Sequence, residues 1–359
     1  MPKFKSKEIK VAVEAVRKGA LLAQEIRRKL SISPIIKPDK SPVTPADFAV
    51  QALIARMLEK HFPNDPLVAE ESAAYLRTEE GSETLNKVKK YVRKKIKGAV
   101  RKKILDWIDR GAAEPSSRFW TLDPIDGTKG FIRGDQYAVA LALIENGEVK
   151  IAVLGCPLLK DACAVDKKGS GSLVLAVKGK GTWVRPLTKR KDWKQLRVSF
   201  RSDPKDAILL RSIEEDQVSR SYADKLVKIL GIAQPAIWMD SLAKYTVIAS
   251  GAGDILSRIP TAVAPGRPPG TAEPSARPAL SQAAPNGAEY IWDQAAGALA
   301  IEEAGGRITD LDGNPLDFSC GKKLFRNRGI VATNGHLHEK VLEAIKEIRS
   351  QTKTTPQSK

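Results

Sequence analysis

Two apolar runs, YAVALALI at 137–144 and EVKIAVLG at 148–155, are joined by Glu145-Asn146-Gly147. Asn-Gly favours the positive backbone angles of a tight hairpin, so the runs are expected to pair antiparallel. FWTLD precedes them, and DACAVD, SLVLAV and GTWVRPL follow with Gly-rich turns between. The stretch from Phe119 to Leu187 therefore predicts one antiparallel sheet.

Helical periodicity lies on both sides of it. Ile9, Val13, Val16, Ala20 and Leu21 predict a helix from Ser6 to Leu30. SISPIIKPDKSPVT, with three prolines, reads as irregular. Thr44-Pro45-Ala46-Asp47 then opens a second helix, with Thr44 as cap and Asp47 closing a capping-box pattern. Residues 85–108 predict one amphipathic helix, because Leu85, Val88, Val92, Ile96, Val100, Ile104 and Ile108 are spaced by three or four. After Ser202 short strands alternate with helices, among them WDQAAGALAIEEAGG, read as capped by Asp293 and stopped by Gly305. Residues 260–289 hold seven prolines and read as a loop or surface insertion without chemistry. Two lobes are expected, 1–205 and 206–359.

The net charge is +18, and residues 87–110 supply half of it, with eleven Lys/Arg against two Asp. Such a field attracts anions of any kind. A solvated helix face is the simplest reading, and a phosphate or nucleic-acid surface is the alternative. No apolar run approaches 18 residues, so neither a transmembrane span nor a membrane partner is expected. Cys156, Cys163 and Cys320 are odd in number and lack a Cys-x-x-Cys pair, which fits reduced thiols in the cytoplasm.

The chemistry concentrates in LDPIDGTKGF, Leu122 to Phe131. Asp123 and Asp126 stand three apart on a turn tightened by Pro124 and Gly127. Carboxylates held this way can face one point, as hard cations such as Mg²⁺ require. The same pattern also serves a turn in which both aspartates cap amides. Glu70 and Glu71 follow another apolar run, and Trp292-Asp293 starts a helix. Singly, Asp47 and Asp293 are each explained by capping.

In this order, SPVTPAD, AEES, WTLDPIDGTKGF and WDQAAGALAIEEAGG resemble the lithium-sensitive, metal-dependent phosphomonoesterases of the inositol monophosphatase and fructose-1,6-bisphosphatase superfamily. Lys129-Gly130-Phe131, the extension FIRGDQYAVALALIENGEV, and DSLAKY followed by SRIP resemble its bisphosphate nucleotidases. The resemblance implies a layered αβαβα fold of α+β or α/β class, with an antiparallel N-terminal sheet and a smaller mixed C-terminal sheet. It implies two or three Mg²⁺ per site, held by Glu71, Asp123, Asp126, Asp293 and the carbonyl of Ile125, with Glu70 beside them. It implies that Asp47 with Thr128 orients and deprotonates water, and that Ser241, Lys244 and Arg258 contact nucleotide. Lys129 is close enough in sequence to contact a phosphate. Gln217 falls where fungal members carry a histidine, which alters the charge available there. His61, His336 and His338 lie outside every motif, and none is expected to be catalytic.

The activity implied is hydrolysis of the 3′-phosphate of adenosine 3′,5′-bisphosphate or its phosphosulfate analogue, inhibited by Li⁺. The alternatives are an inositol polyphosphate 1-phosphatase, a broad sugar-phosphate phosphatase and, more distantly, a nucleic-acid-binding protein. Nucleic acid gives no reason for acidic residues at 123–126, so it is disfavoured as a partner. A monomer is expected.

Overall fold

The computed structural model describes residues 4–29, 34–37, 41–189, 192–260 and 288–353. The Pro-rich stretch read as an insertion falls almost wholly outside the described residues.

Helix α1 (Lys7–Lys29) buries Ile9, Val13, Val16 and Ala20 of the expected stripe, while Leu21 is only partly buried. The next stretch, read as irregular, contributes a ribbon of β1 (Ile35–Ile36) against β2 (Pro42–Val43). Helix α2 (Pro45–His61) opens on a complete capping box: the Thr44 hydroxyl accepts from the Ala46 amide, and the Asp47 carboxylate accepts from the Thr44 amide at 2.9 Å.

The single helix expected over 85–108 is two, α3 (Ser82–Lys95) and α4 (Arg101–Asp109). Ile96 leaves helical geometry and Gly98 takes a φ of +73°, which turns the chain. The spacing persists across the break because both helices pack on α2. Val100 drops out of the stripe and is 50% exposed.

The larger sheet uses β3 (Leu67–Ala69), β4 (Arg118–Asp126), β5 (Ala138–Glu145) and β6 (Glu148–Cys156). A side ribbon of β7 (Leu159–Lys160) and β8 (Ala164–Val165) intervenes before β9 (Ser172–Val177), β10 (Gly181–Pro186) and β11 (Lys194–Leu196) complete it. The spatial order is β11-β10-β9-β6-β5-β4-β3. Asn146 and Gly147 adopt φ of 52° and 78° in the β5–β6 turn, as the hairpin requires. Two expectations are corrected. DACAVD lies in the side ribbon, not in the meander. The sheet is antiparallel except at its edge, where β3 runs parallel to β4, because the chain returns to that edge through α3 and α4 rather than a hairpin.

The smaller sheet has β12 (Leu209–Arg211), β13 (Ile237–Trp238), β14 (Ile255–Arg258), β15 (Arg307–Thr309) and β16 (Ile330–Thr333), ordered β13-β12-β14-β16-β15 with mixed directions. Five layers result. Helices α1 and α2 cover one face of the large sheet. Helices α7 (Ala243–Ala249) and α8 (Ala295–Glu303) fill the space between the sheets. Helices α6 (Gln217–Leu230) and α9 (His338–Lys353) cover the outer face of the small sheet. This is the layered α/β fold expected. No helix among the described residues is long and apolar enough to cross a membrane.

Candidate active site

Strand β4 loses its regular pairing with β5 between Asp123 and Asp126. The Asp123 carboxylate accepts from the Ile125 amide at 3.0 Å and fixes the turn. Gly127 follows with φ +84°, and a Cβ there would stand 2.7 Å from Cβ of Ser241. Only glycine lets this turn approach the chain entering α7 so closely. The turn then feeds α5 (Thr128–Arg133).

Asp293 does not cap α8 as expected: Gln294 holds the cap position, and no side chain completes the cap. One carboxylate oxygen from each of Asp123, Asp126 and Asp293 lies within 4.8 Å of the others. Asp126 also accepts from the Leu242 amide. Burial, then neighbouring acids including Glu70, holds Asp123 well above the usual carboxylate range. Burial does the same to Asp293, against the pull of Arg258, and pushes Asp126 up to about 6. Three crowded carboxylates resist ionising together. A dication relieves that repulsion, and oxygen-only donors suit a hard one. The residues present therefore fit magnesium.

Glu71 is buried, and α2 pins its backbone: Gln51 donates to its carbonyl and accepts from its amide at 3.1 Å. Lys37 bridges the pair, 2.8 Å from Glu70 and 2.7 Å from Glu71. Burial opposes its charge, yet the two glutamates hold its ammonium above the usual lysine range. Nothing in the sequence pointed to Lys37, which sits in the stretch read as irregular.

Asp47 is fully buried and meets Thr128. The Thr128 hydroxyl lies 3.0 Å from the Ile125 carbonyl and 3.4 Å from Asp47 Oδ1. Burial raises Asp47 to about 7 despite its bonds from Thr44. One oxygen serves the capping box and the other faces Thr128, so the structural and chemical readings coexist.

The chain after β13 supplies cations. Ser241 has φ 72°. Lys244 is buried and donates to the Ser212 hydroxyl. Burial, then the nearby Arg258 charge, lowers it to about 8. Arg258 pairs with Glu289 at 3.0 Å, which holds its guanidinium above the ordinary range. Both cations lower Asp126, so they lie within its electrostatic reach. Lys129 is exposed and stands 3.4 Å from Glu214. Gln217 is exposed at the start of α6, and among the described residues its side chain makes no hydrogen bond. Arg133, unremarked in the sequence, pairs with Glu214 and Asp240 and ties α5 to the chain before α7. Lying one helical turn after Lys129, it was within reach of the motif.

The inositol monophosphatase family profile matches residues 5–350. A 3′(2′),5′-bisphosphate nucleotidase of Emericella nidulans is 36% identical, over 94% of this chain and 97% of its own. One from Schizosaccharomyces pombe is 36% identical over 96% of each, and one from Oryza sativa is 35% identical over 95% and 94%. Among solved structures, the extragenic suppressor protein suhB of Bartonella henselae superposes with a TM-score of 0.64 at 20% identity, covering 95% of this chain and 99% of its own. A Thermotoga maritima IMPase gives 0.63 at 18% identity, covering 96% and 99%; these two likenesses speak to the fold. With a profile spanning nearly its whole length and relatives this similar end to end, the chain belongs to the inositol monophosphatase family.

Proposed function

We propose that this chain is a magnesium-dependent phosphoric monoester hydrolase, a 3′(2′),5′-bisphosphate nucleotidase. It removes the 3′-phosphate of adenosine 3′,5′-bisphosphate and of its 5′-phosphosulfate analogue. One observation carries the reading: the Asp123, Asp126 and Asp293 cluster stands within electrostatic reach of two cationic side chains, Lys244 and Arg258. One pole suits a phosphate under hydrolysis, and the other suits the anion that is retained. The names of the fungal and plant relatives point the same way.

Glu71, Asp123, Asp126, Asp293 and the Ile125 carbonyl would hold two or three magnesium ions. Bound there, magnesium would offset the charge on the phosphate and acidify the attacking water. The protein supplies the rest. The Thr128 hydroxyl orients that water and passes its proton to Asp47, whose raised value suits a base working near neutrality. Lys244, Arg258 and Ser241 bind the retained part of the nucleotide, and Lys129 and Gln217 are assigned to substrate contact by the resemblance.

The test measures phosphate release with Mg²⁺ from adenosine 3′,5′-bisphosphate, its phosphosulfate analogue, inositol 1,4-bisphosphate and inositol 1-phosphate, each with and without Li⁺. Preference for the two nucleotides, suppressed by Li⁺, is expected. Preference for an inositol phosphate would overturn the substrate and retain the hydrolase.

A further inference from the structure

We infer that the corner between α3 and α4 is a docking surface for an anionic lipid bilayer. The segment 87–110 carries eleven Lys/Arg against two Asp. Leu85, Val88 and Val92 on α3, and Ile104, Leu105 and Ile108 on α4, all enter the core that includes α2. Both helices pack on α2, so the basic face of each turns away from it. Among the described residues, no carboxylate pairs with Lys90, Lys97, Arg101, Lys102 or Lys103, and all five are exposed. Lys94 and Lys95 share a single acid, Glu25, at 3.5 and 2.9 Å. The fold makes no ion pair with most of this charge.

The corner carries one exposed apolar side chain. Gly98 turns the chain, and Val100 stands 50% exposed between Lys97 and Arg101. An exposed valine flanked in sequence by cations suits a bilayer surface, which rewards both features. Nucleic acid rewards only the charge. Stacking on bases is closed off, because Tyr91 and Trp107 are buried. The contact is peripheral and adds a membrane partner that the apolar runs of the sequence did not suggest.

The test floats the full chain with vesicles of about three parts phosphatidylcholine to one part phosphatidylserine, and with phosphatidylcholine alone. Flotation with the anionic vesicles only, reversed by salt, is expected. Each cation near such a surface contributes about fivefold to partitioning, so Lys97→Gln/Arg101→Gln/Lys102→Gln lowers it about 100-fold. Lys90→Gln/Lys103→Gln gives a smaller loss of the same kind. Phosphate release from soluble substrate stays unchanged in both, which shows that they fold. The inference is overturned by no flotation at low salt, by equal flotation with neutral vesicles, or by full binding in the triple variant. It is equally overturned if duplex RNA is bound where the vesicles are not.

Discussion

Replacing Lys244 with methionine separates binding from chemistry at this site. The side chain is 4% exposed, its amine donates to Ser212, and its value is lowered to about 8. A hydrogen bond to a charged partner contributes about 1.5–3 kcal/mol. At 1.4 kcal/mol per tenfold, Lys244→Met raises KM for adenosine 3′,5′-bisphosphate by about 10–150-fold and leaves kcat near wild type. The ammonium is the binding form and is lost as pH rises through about 8, so wild-type KM climbs above that pH. The variant, with no ammonium to lose, lacks that climb. Stability moves the other way. The folded value lies below the ordinary 10.5, so at pH 7 the fold carries a charge that it disfavours. Removing that charge stabilises the protein by roughly 2–3 kcal/mol, read as a higher Tm in the absence of substrate. Steady-state kinetics at pH 7 and 9, with thermal melts, measure all three quantities. A variant that loses kcat at unchanged KM, or that melts lower than wild type, refutes the reasoning.

Other perturbations probe the rest of the site. Thr128→Ala is expected to lower kcat by about 10²–10⁴ with the fold intact, since it removes the hydroxyl between Ile125 and Asp47; an unchanged kcat removes Thr128 from the proton path. Asp126→Asn is expected to retain less than about a tenth of the activity and to lose the Tm rise that Mg²⁺ gives the wild type; a retained Mg²⁺-dependent rise would exclude Asp126 as a ligand. Buried His338, between Thr309 and Thr333, is lowered by burial to about 4, below the ordinary 6.5. Its neutral form belongs to the fold, so its contribution is full above pH 6.5 and is lost as pH falls towards 4, about 3 kcal/mol in all. Urea midpoints of wild type and His338→Gln across that range isolate this change from that of the acidic cluster. Parallel profiles for the two proteins would exclude it.

Local chemistry accounts for what was legible in the order of residues alone. Asn146-Gly147 sets a hairpin through its own φ preferences, and Thr44 with Asp47 caps α2 within four residues. Asp123 and Asp126 sit on one turn, so their convergence was readable too. The joining of distant segments was not readable from local chemistry; only the resemblance of the ordered motifs implied it. Asp293 read as a helix cap because capping is the local option, whereas the fold gives that position to Gln294 and sets the Asp293 carboxylate beside residues 170 and 167 positions earlier. Lys37 meets Glu70 and Glu71 through a ribbon too short to carry a periodic signal. A continuous apolar period across α3 and α4 hid a break, because one underlying helix imposes the same spacing on both. Periodicity and turn preference are properties of neighbours in sequence. Burial, charge crowding and the pKa values that follow depend on which layers meet, and only the tertiary structure decides that.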